Sequence, residues 1–574
     1  MKTPKFIPLL VVVAGLAAYH NSFTGAFVFD DLPSITENIT IRHLWPLTGP
    51  LTPPHGGGLT VEGRPLINLS LALNYAVGGL NVWGYHAFNL AVHILAALVL
   101  YGIVRRTLLT ERLRGRFGNA AAGLALAVAL IWVVHPLQTE AVTYIVQRAE
   151  SLMGLCYLLT LYCFMRGAVP GATKLWQVGA VAACAMGMAS KEVMISAPII
   201  ALLYDRVFVA GSFREAWRRR WPVYLGLGAT WMLLGYLVMS TGMLGNQAGE
   251  GQAAIWWRYA LTELSVIVHY VQLALWPDRL CLDYGWHYGW PLVRTTGDAL
   301  PGLVIVGAMA VATGWGLWRR SPVGFLGAWF LLILAPTSSV LPLRDLIFEH
   351  RMYLSLAAVV TLVVVTGWQL VRTKLAWLGA GSLGLTVLAL AAATVTRNLD
   401  YRSNLTIWRD SVSKCPGNQR AHYNFGLALE HDGKMEEAKR HYEEALRLKP
   451  DYADAHYNLG VVLSQACKLQ DASVRFEQAL RLRPDLVGAH NNLGIILSLA
   501  GKYPEAIKHF EQVLQLRPDY AEAQNNLANV FMQAGKPQEA ILHYERALRL
   551  KPDYAQAQAG LERARATLGG PASQ

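Results

Sequence analysis

Charge is what this 574-residue chain has least of: Asp, Glu, Lys and Arg together make up 15% of it, against 53% hydrophobic residues. A soluble chain with a polar surface rarely reaches that balance. The scarcity excludes a wholly soluble protein and implies a polytopic membrane protein with an attached soluble part, in keeping with a mean hydropathy of +0.30. Carboxylates are scarcer than cations, 38 against 50, giving a net charge of +12. Most of the excess lies in short Arg clusters between apolar runs, where the positive-inside rule expects it, so it reads as topology and not as a nucleic-acid surface. Cysteine is sparse: the six are scattered, and Cys156, Cys163 and Cys184 lie within apolar runs. That excludes a disulfide framework and metal-ligand spacing. Gly56-Gly57-Gly58 lacks the Lys-Ser/Thr and the strand-to-helix context of a phosphate loop. The internal symmetry and matched Gly/Pro-broken spans of a transporter are absent too.

What is present is a series of long apolar runs. Met1-Lys2-Thr3-Pro4-Lys5 and the run to Tyr19 read as a permanent first span, with no small-x-small cleavage site before Phe23. Further candidates of roughly 17 to 25 residues recur near 86–104, 119–135, 149–165, 174–190, 192–208, 221–241, 258–276, 300–318, 322–341, 351–371 and 375–396. The basic clusters Lys2/Lys5, Arg105 to Arg116, Arg166/Lys174, Arg214 to Arg220, Arg319/Arg320 and Arg372/Lys374 should all be cytoplasmic. They cannot be so if every candidate crosses. The weakest, 258–276, carries Glu263 and His269 and is led by Trp256-Trp257-Arg258, so it is expected at the outer interface or as a re-entrant segment. About eleven crossings remain, and the C-terminus falls outside the cytoplasm. The first extracytoplasmic loop is then 21–85, with an amphipathic helix at 62–80 on the outer surface. Asn38-Ile39-Thr40, Asn68-Leu69-Ser70 and Asn404-Leu405-Thr406 fit the glycosylation triplet, which matters only in a glycosylating compartment.

The tail is periodic. Pro416, Pro450, Pro484, Pro518 and Pro552 recur at a spacing of about 34, the tetratricopeptide signature. Gly426, Ala438, Tyr442 and Ala445 in the first repeat answer to Gly460, Ala472, Phe476 and Ala479 in the second. The small residues let paired helices approach, and the aromatic fills the gap to the next repeat. The expected architecture is all-α: a membrane domain over 1–397, a connector and solenoid cap around Trp408 over 398–418, four repeats and a capping helix over 419–567, and a disordered end over 568–574. Asn424, Asn458, Asn492 and Asn526 recur at one repeat position and form a ladder along one face. An amide can bond both N–H and C=O of an extended peptide, though it can equally satisfy neighbouring helix ends. A similar ladder holds peptide in the superhelical repeats of the nucleocytoplasmic N-acetylglucosamine transferase.

Chemistry has to reside in the membrane half. Asp30 and Asp31, the string His135 to Glu140, Arg148 with Glu150, Ser190-Lys191-Glu192, and Glu349-His350-Arg351 all sit at or just inside span ends on the outward side. Charges there line a cavity, pair with each other, or both. Carboxylates with Lys and Arg at the mouth of an apolar groove suit an anionic head on a lipid tail.

The order of these motifs resembles a known family. Phe-Asp-Asp after the first span, His-Pro-x-x-Thr-Glu-Ala-Val with Arg-Ala-Glu, Ser-Lys-Glu, Glu-His-Arg-x-Tyr-Leu and a tetratricopeptide tail are similar to the transmembrane and tetratricopeptide-repeat-containing O-mannosyltransferases of glycosyltransferase superfamily C. Ser355 stands where that family usually has Pro. The resemblance implies a polyprenyl- or dolichyl-phosphate sugar donor, a Ser or Thr hydroxyl of protein as acceptor, and inversion on the non-cytoplasmic face. Inversion needs a base, expected at Asp31 slightly ahead of Asp30, with a helix cap or hydrated loop as the alternative. Arg351 is the first choice to clamp the lipid phosphate, with His350 beside it, unless it is a snorkelling anchor. Lys191 with Glu192 is a second phosphate contact or an ion pair closing a span. Glu140, Arg148, Glu150 and Glu349 form a supporting polar network. No metal site is expected, and cation assistance stays open. The membrane is a bacterial inner membrane by preference, or the endoplasmic reticulum. A scaffold without enzymatic activity, or a transferase acting on glycan or lipid, is the competing reading.

Overall fold

The computed structural model describes residues 7–54, 59–241, 256–285, 296–338, 345–371 and 376–568. Lys2, Lys5, Gly56 to Gly58, Arg372, Lys374 and the end at 569–574 lie outside the described residues. Every regular element among those described is helical. The chain divides into two compact units, Met1–Pro416 and Gly417–Gln574.

Among the described residues of the first unit, five helices are long and apolar enough to cross a membrane: Val82–Leu108, Phe213–Thr241, Gly297–Trp318, Glu349–Leu370 and Gly379–Asp400. The helices Glu111–Phe117 and Ala121–Val134 pass the same test together across a 92° bend, and Pro8–Tyr19 and Pro322–Leu334 are shorter apolar helices. The run expected as one span at 192–208 is broken. A 3-10 turn at Glu192–Ser196 leads into the eight-residue helix Ala197–Tyr204 and then a π turn at Asp205–Val209. Pro198 fits only the first helical turn, where its missing N–H is not needed. Buried Asp205 takes both oxygens to Arg220 at 2.9 Å. Trp256–Leu275 packs on the helices Thr296–Trp318 and Met352–Val371 and buries Tyr259, Glu263 and Tyr270.

The ends of the 27-residue helix Val82–Leu108 lie about 40 Å apart and carry different chemistry. Near its start, His86 Nε2 lies 3.3 Å from the Gly25 carbonyl and the Phe27 ring stacks edge-on against Tyr85. Beyond its end the basic clusters gather: Arg112 donates to Val207 O, Arg206 donates to Leu317 O, and Arg112, Arg319 and Arg320 line one cavity. At the first end, the loop after Tyr19 is bonded to the segment near residue 400. Asn21 donates to Val395 O, Ala26 N–H to Tyr401 O and Asn404 to Phe27 O. Trp408 stacks edge-to-face on Phe29 with centroids 5.3 Å apart. Its helix Asn404–Lys414 belongs to the first unit.

Asn38 and Asn68, each inside a glycosylation triplet, are buried and bonded to each other at 2.9 Å. Asn68 also donates to Thr40 Oγ1 and Pro50 O. The triplets there tie the loop to the helix Pro65–Gly78.

The second unit stacks helix pairs from Gln419–His431 to Pro537–Leu550, followed by Ala555–Leu568. In the first three repeats the aromatic lies over the glycine of its own first helix, whereas the fourth has Ala528 at that position and its Tyr544 lies against Gly560 of the capping helix. A Cβ on Gly426, Gly460 or Gly494 would stand 2.6, 2.7 or 2.9 Å from the ring of Tyr442, Phe476 or Phe510. The close approach requires glycine there, and the ring fills the cleft between paired helices.

Candidate functional site

The two adjacent aspartates face different ways because of the residue before them. Phe29 has φ +46°, a left-handed conformation that is strained for an aromatic residue by about 1–3 kcal/mol and is held by its packing on Trp408. The chain turns there. Asp31 becomes fully buried, accepting the Val28 N–H at 3.0 Å and the Val146 N–H at 2.7 Å, one on each oxygen. Burial pushes its carboxyl up to about 8, opposed by those two N–H groups. Asp30 stays half-buried; its N–H donates to Tyr144 Oη at 2.9 Å, and its Oδ2 accepts from Thr60 Oγ1 at 3.3 Å.

Thr60 leads to a cation that the motifs did not announce. Arg64 donates to Thr60 O at 2.7 Å and pairs with Glu192 at 3.1 Å. It is 7% exposed, and its Nε has no partner within hydrogen-bonding distance among the described residues. Next along the chain from Glu192, Lys191 Nζ donates to Glu150 Oε1 at 2.7 Å. Glu150 lies 3.8 Å from His350 Nε2, and the other ring nitrogen of His350 lies 2.8 Å from Glu140 Oε1. Glu140 Oε2 accepts the His350 backbone N–H at 2.8 Å. Burial also pushes the Glu140 carboxyl up, to about 8. Tyr144 lies within electrostatic reach of Asp30, Asp31 and Glu140. Glu349 accepts from Cys281 N–H at 2.5 Å and Tyr284 Oη at 2.8 Å. One polar string thus runs from Asp30 through Thr60, Arg64, Glu192, Lys191, Glu150 and His350 to Glu140. Its middle holds two buried cations, a donor set that fits a phosphate oxygen.

Two expected cations are directed elsewhere. Arg351 donates to Leu346 O at 2.9 Å and Asp345 O at 2.7 Å, and its guanidinium lies 3.8 Å from Glu263. Arg148, fully buried, clamps Asn74 Oδ1 at 2.6 Å and Ser70 O and Tyr85 O at 3.2 Å, with the Phe88 ring 4.6 Å away. It is scaffold, binding the helices Pro65–Gly78 and Val82–Leu108 to its own. His135 accepts the Leu137 N–H and lies 3.3 Å from the Ala274 carbonyl, closing a helix end. Among the described residues no group of three His, Cys, Asp or Glu side chains is set to hold a metal ion.

In the repeats, the four ladder amides are half-buried, and those of the second to fourth repeats are joined to the preceding repeat. Asn458 donates to Tyr423 Oη at 3.0 Å, Asn526 to Asn491 Oδ1 at 3.2 Å, and Asn492 bonds Tyr457.

Residues 62–238 match the model of the dolichyl-phosphate-mannose-protein mannosyltransferases, and residues 431–466 and 485–553 match tetratricopeptide-repeat models. The matched stretch begins just before Arg64 and includes every residue of the string from there to Glu192. Protein O-mannosyl-transferase Tmtc3 of Drosophila melanogaster is 27% identical over 514 residues, covering 77% of this chain and 55% of that one. The human protein O-mannosyl-transferases TMTC1 and TMTC4 are each 27% identical; TMTC1 covers 77% of this chain and 55% of itself, TMTC4 76% and 66%. The chain spans about half the length of most of the curated relatives it matches, from 34% of Drosophila Tmtc1 to 66% of human TMTC4. Among solved structures, YrrB, titled a tetratricopeptide protein with an unusual peptide-binding site, is 22% identical over 30% of this chain and 87% of its own, with a TM-score of 0.27. That likeness is too slight to speak to function. A stretch similar to the dolichyl-phosphate-mannose-protein mannosyltransferases is thus followed in this chain by tetratricopeptide repeats, and 77% of the chain is similar to a protein of the transmembrane and tetratricopeptide-repeat-containing O-mannosyltransferases.

Proposed function

We propose that this chain is a glycosyltransferase that moves a mannose-like sugar from a polyprenyl- or dolichyl-phosphate donor to Ser or Thr hydroxyls of protein, with inversion, on the non-cytoplasmic face of a membrane. The base is Asp30, in place of Asp31, the residue favoured from sequence. The observation that carries this is the contrast within the pair: Asp31 is sealed, with a backbone N–H on each oxygen, whereas half-buried Asp30 stands at the end of a string whose next cations are Arg64 and Lys191. Asp30 takes the acceptor's proton as its oxygen attacks the anomeric carbon. The bond from that carbon to the donor phosphate breaks on the opposite face, and the lipid phosphate leaves toward Arg64 and Lys191.

In this reading Lys191 keeps the phosphate role expected of it, and Arg64 takes the one first expected of Arg351 and His350. Arg351 is committed to two backbone carbonyls, and His350 to two carboxylates. The sidedness draws support from the basic clusters meeting beyond one end of Val82–Leu108 while the Asp30 loop meets the connector near residue 400 at the other. Trp256–Leu275 ends beside His135 at Ala274, and the loop after it reaches Lys414, which suits a helix that does not complete a crossing. The repeats hold the acceptor polypeptide along the Asn ladder.

The test is transfer from lipid-phosphate mannose to a Ser/Thr peptide by membrane preparations of Asp30→Asn and Asp31→Asn chains, with folding checked for each. Asp30→Asn should lower the turnover by about 10²- to 10⁴-fold. A full rate in Asp30→Asn with loss in a folded Asp31→Asn would return the role to Asp31, and full rates in both would remove the base from this loop.

A further inference from the structure

The cysteines that look scattered in sequence are not all scattered in space. The thiols of Cys281 and Cys415 lie within interaction reach of each other. The residues before them are also joined, Lys414 Nζ donating to Leu280 O at 2.7 Å in a contact across 134 residues. Cys281 is buried in the loop after Trp256–Leu275, and its backbone N–H is the one that Glu349 accepts. Cys415 is half-buried and ends the helix Asn404–Lys414, immediately before Pro416 closes the first unit. The other cysteines make a useful contrast. Cys156 and Cys184 are buried within the helices Arg148–Gly167 and Lys174–Met188, and Cys467 is exposed in the repeats.

Resting on the reading that puts the connector on the non-cytoplasmic side, where disulfides persist, we propose that Cys281 and Cys415 are a disulfide-forming pair that fastens the loop touching Glu349 to the segment from which the repeats depart. The oxidant is a protein disulfide. The Cys415 thiolate attacks one of its sulfurs, forming a mixed disulfide and releasing one oxidant thiolate; the Cys281 thiolate then displaces the second. Two thiols of this chain are oxidised, the oxidant's disulfide is reduced to a dithiol, and the two protons pass to the released sulfurs. Cys415 attacks first because it is the more exposed, while the buried Cys281 thiol donates to Asp283 O at 3.2 Å. Once closed, the bridge holds a backbone donor of Glu349 in place and ties the end of the first unit to that loop. It also removes loop entropy from the unfolded chain.

The full chain in its own membranes is quenched with a small alkylating maleimide, digested without reductant and read by mass spectrometry. A Cys281–Cys415 linked peptide is expected, lost on reduction and absent from Cys281→Ser, with Cys467 alkylated throughout. Exposed Cys467 separates the two readings. A membrane-impermeant maleimide added to cells with an opened outer boundary labels it when the tail is outside. If Cys467 labels and the linked peptide is missing, the proposal is overturned, even where oxidised glutathione later forms the bridge. If Cys467 does not label, the sidedness has failed, and the pair is judged in the purified full chain with oxidised glutathione: a linked peptide upholds the pairing, and alkylation of both thiols overturns it.

Discussion

Lys191 and Glu150 in the membrane unit leave 7% and 2% of their side chains exposed, whereas Arg565 and Glu545 in the repeats leave 61% and 38%. Arg220 with Asp205 and Arg447 with Glu444 repeat the contrast. A wet pair gains little Coulomb energy after screening and side-chain ordering. A sealed pair has lost its water, so its members depend on one another. Charge in the repeats keeps a surface soluble. In the membrane unit it has been desolvated and paired, as the proposed transfer from a lipid phosphate requires.

The sharpest way to break this comparison is to remove one partner from each kind of pair. Lys191→Met leaves Glu150 uncompensated and should destabilise the membrane unit by about 3–5 kcal/mol, while Arg565→Ala leaves the melting of the repeats where it was; equal shifts of the two thermal midpoints would dissolve the distinction. Packing sets the next largest effect. Gly460→Ala puts a Cβ 2.7 Å from the Phe476 ring and should cost the repeat unit about 1–3 kcal/mol; calorimetry that resolves both units should show only the repeat transition moving.

A smaller effect comes from pH. Asp31 is raised by burial from 3.8 to about 8, so it binds its proton more tightly folded than unfolded. The stability it contributes is therefore complete below pH 3.8 and is lost progressively as pH rises to about 8. Asp31→Asn should flatten that part of the decline in the membrane unit's melting temperature, and an unchanged slope would show that Asp31 is not buried as a neutral acid. The repeats should make the smallest difference of all to the chemistry. Replacing Asn424, Asn458, Asn492 and Asn526 together should raise KM for a protein acceptor and leave kcat and donor use as they were; an equal fall in kcat would tie the ladder to folding and not to acceptor binding.

The same contrast explains what could be read in advance. Each repeat touches only its neighbours, so a spacing of about 34 carries the tail's fold directly. The membrane motifs were legible as a series, and Glu140, Glu150, Lys191 and His350 do meet. Arg64 was not legible, because its partner Glu192 is 128 residues away and neither periodicity nor motif links them. The Cys281 and Cys415 contact escaped for the same reason. The surroundings of Arg351 were hidden for a local reason: the carbonyls of Asp345 and Leu346 turn toward its guanidinium, and that backbone course has no signature in the side chains. The order of Asp30 and Asp31 depends on the single left-handed residue Phe29, an aromatic where such a turn is not anticipated.

That turn at Phe29 has a consequence for biosynthesis. Its ring is held by Trp408, and the loop around it is bonded to Tyr401 and Asn404, all at the far end of the membrane unit. A ribosome makes residues 21–31 nearly first and residues 395–408 nearly last of that unit. Asp30 therefore acquires its orientation only when the unit is complete, and a chain interrupted before Trp408 carries the carboxylate without the means to aim it.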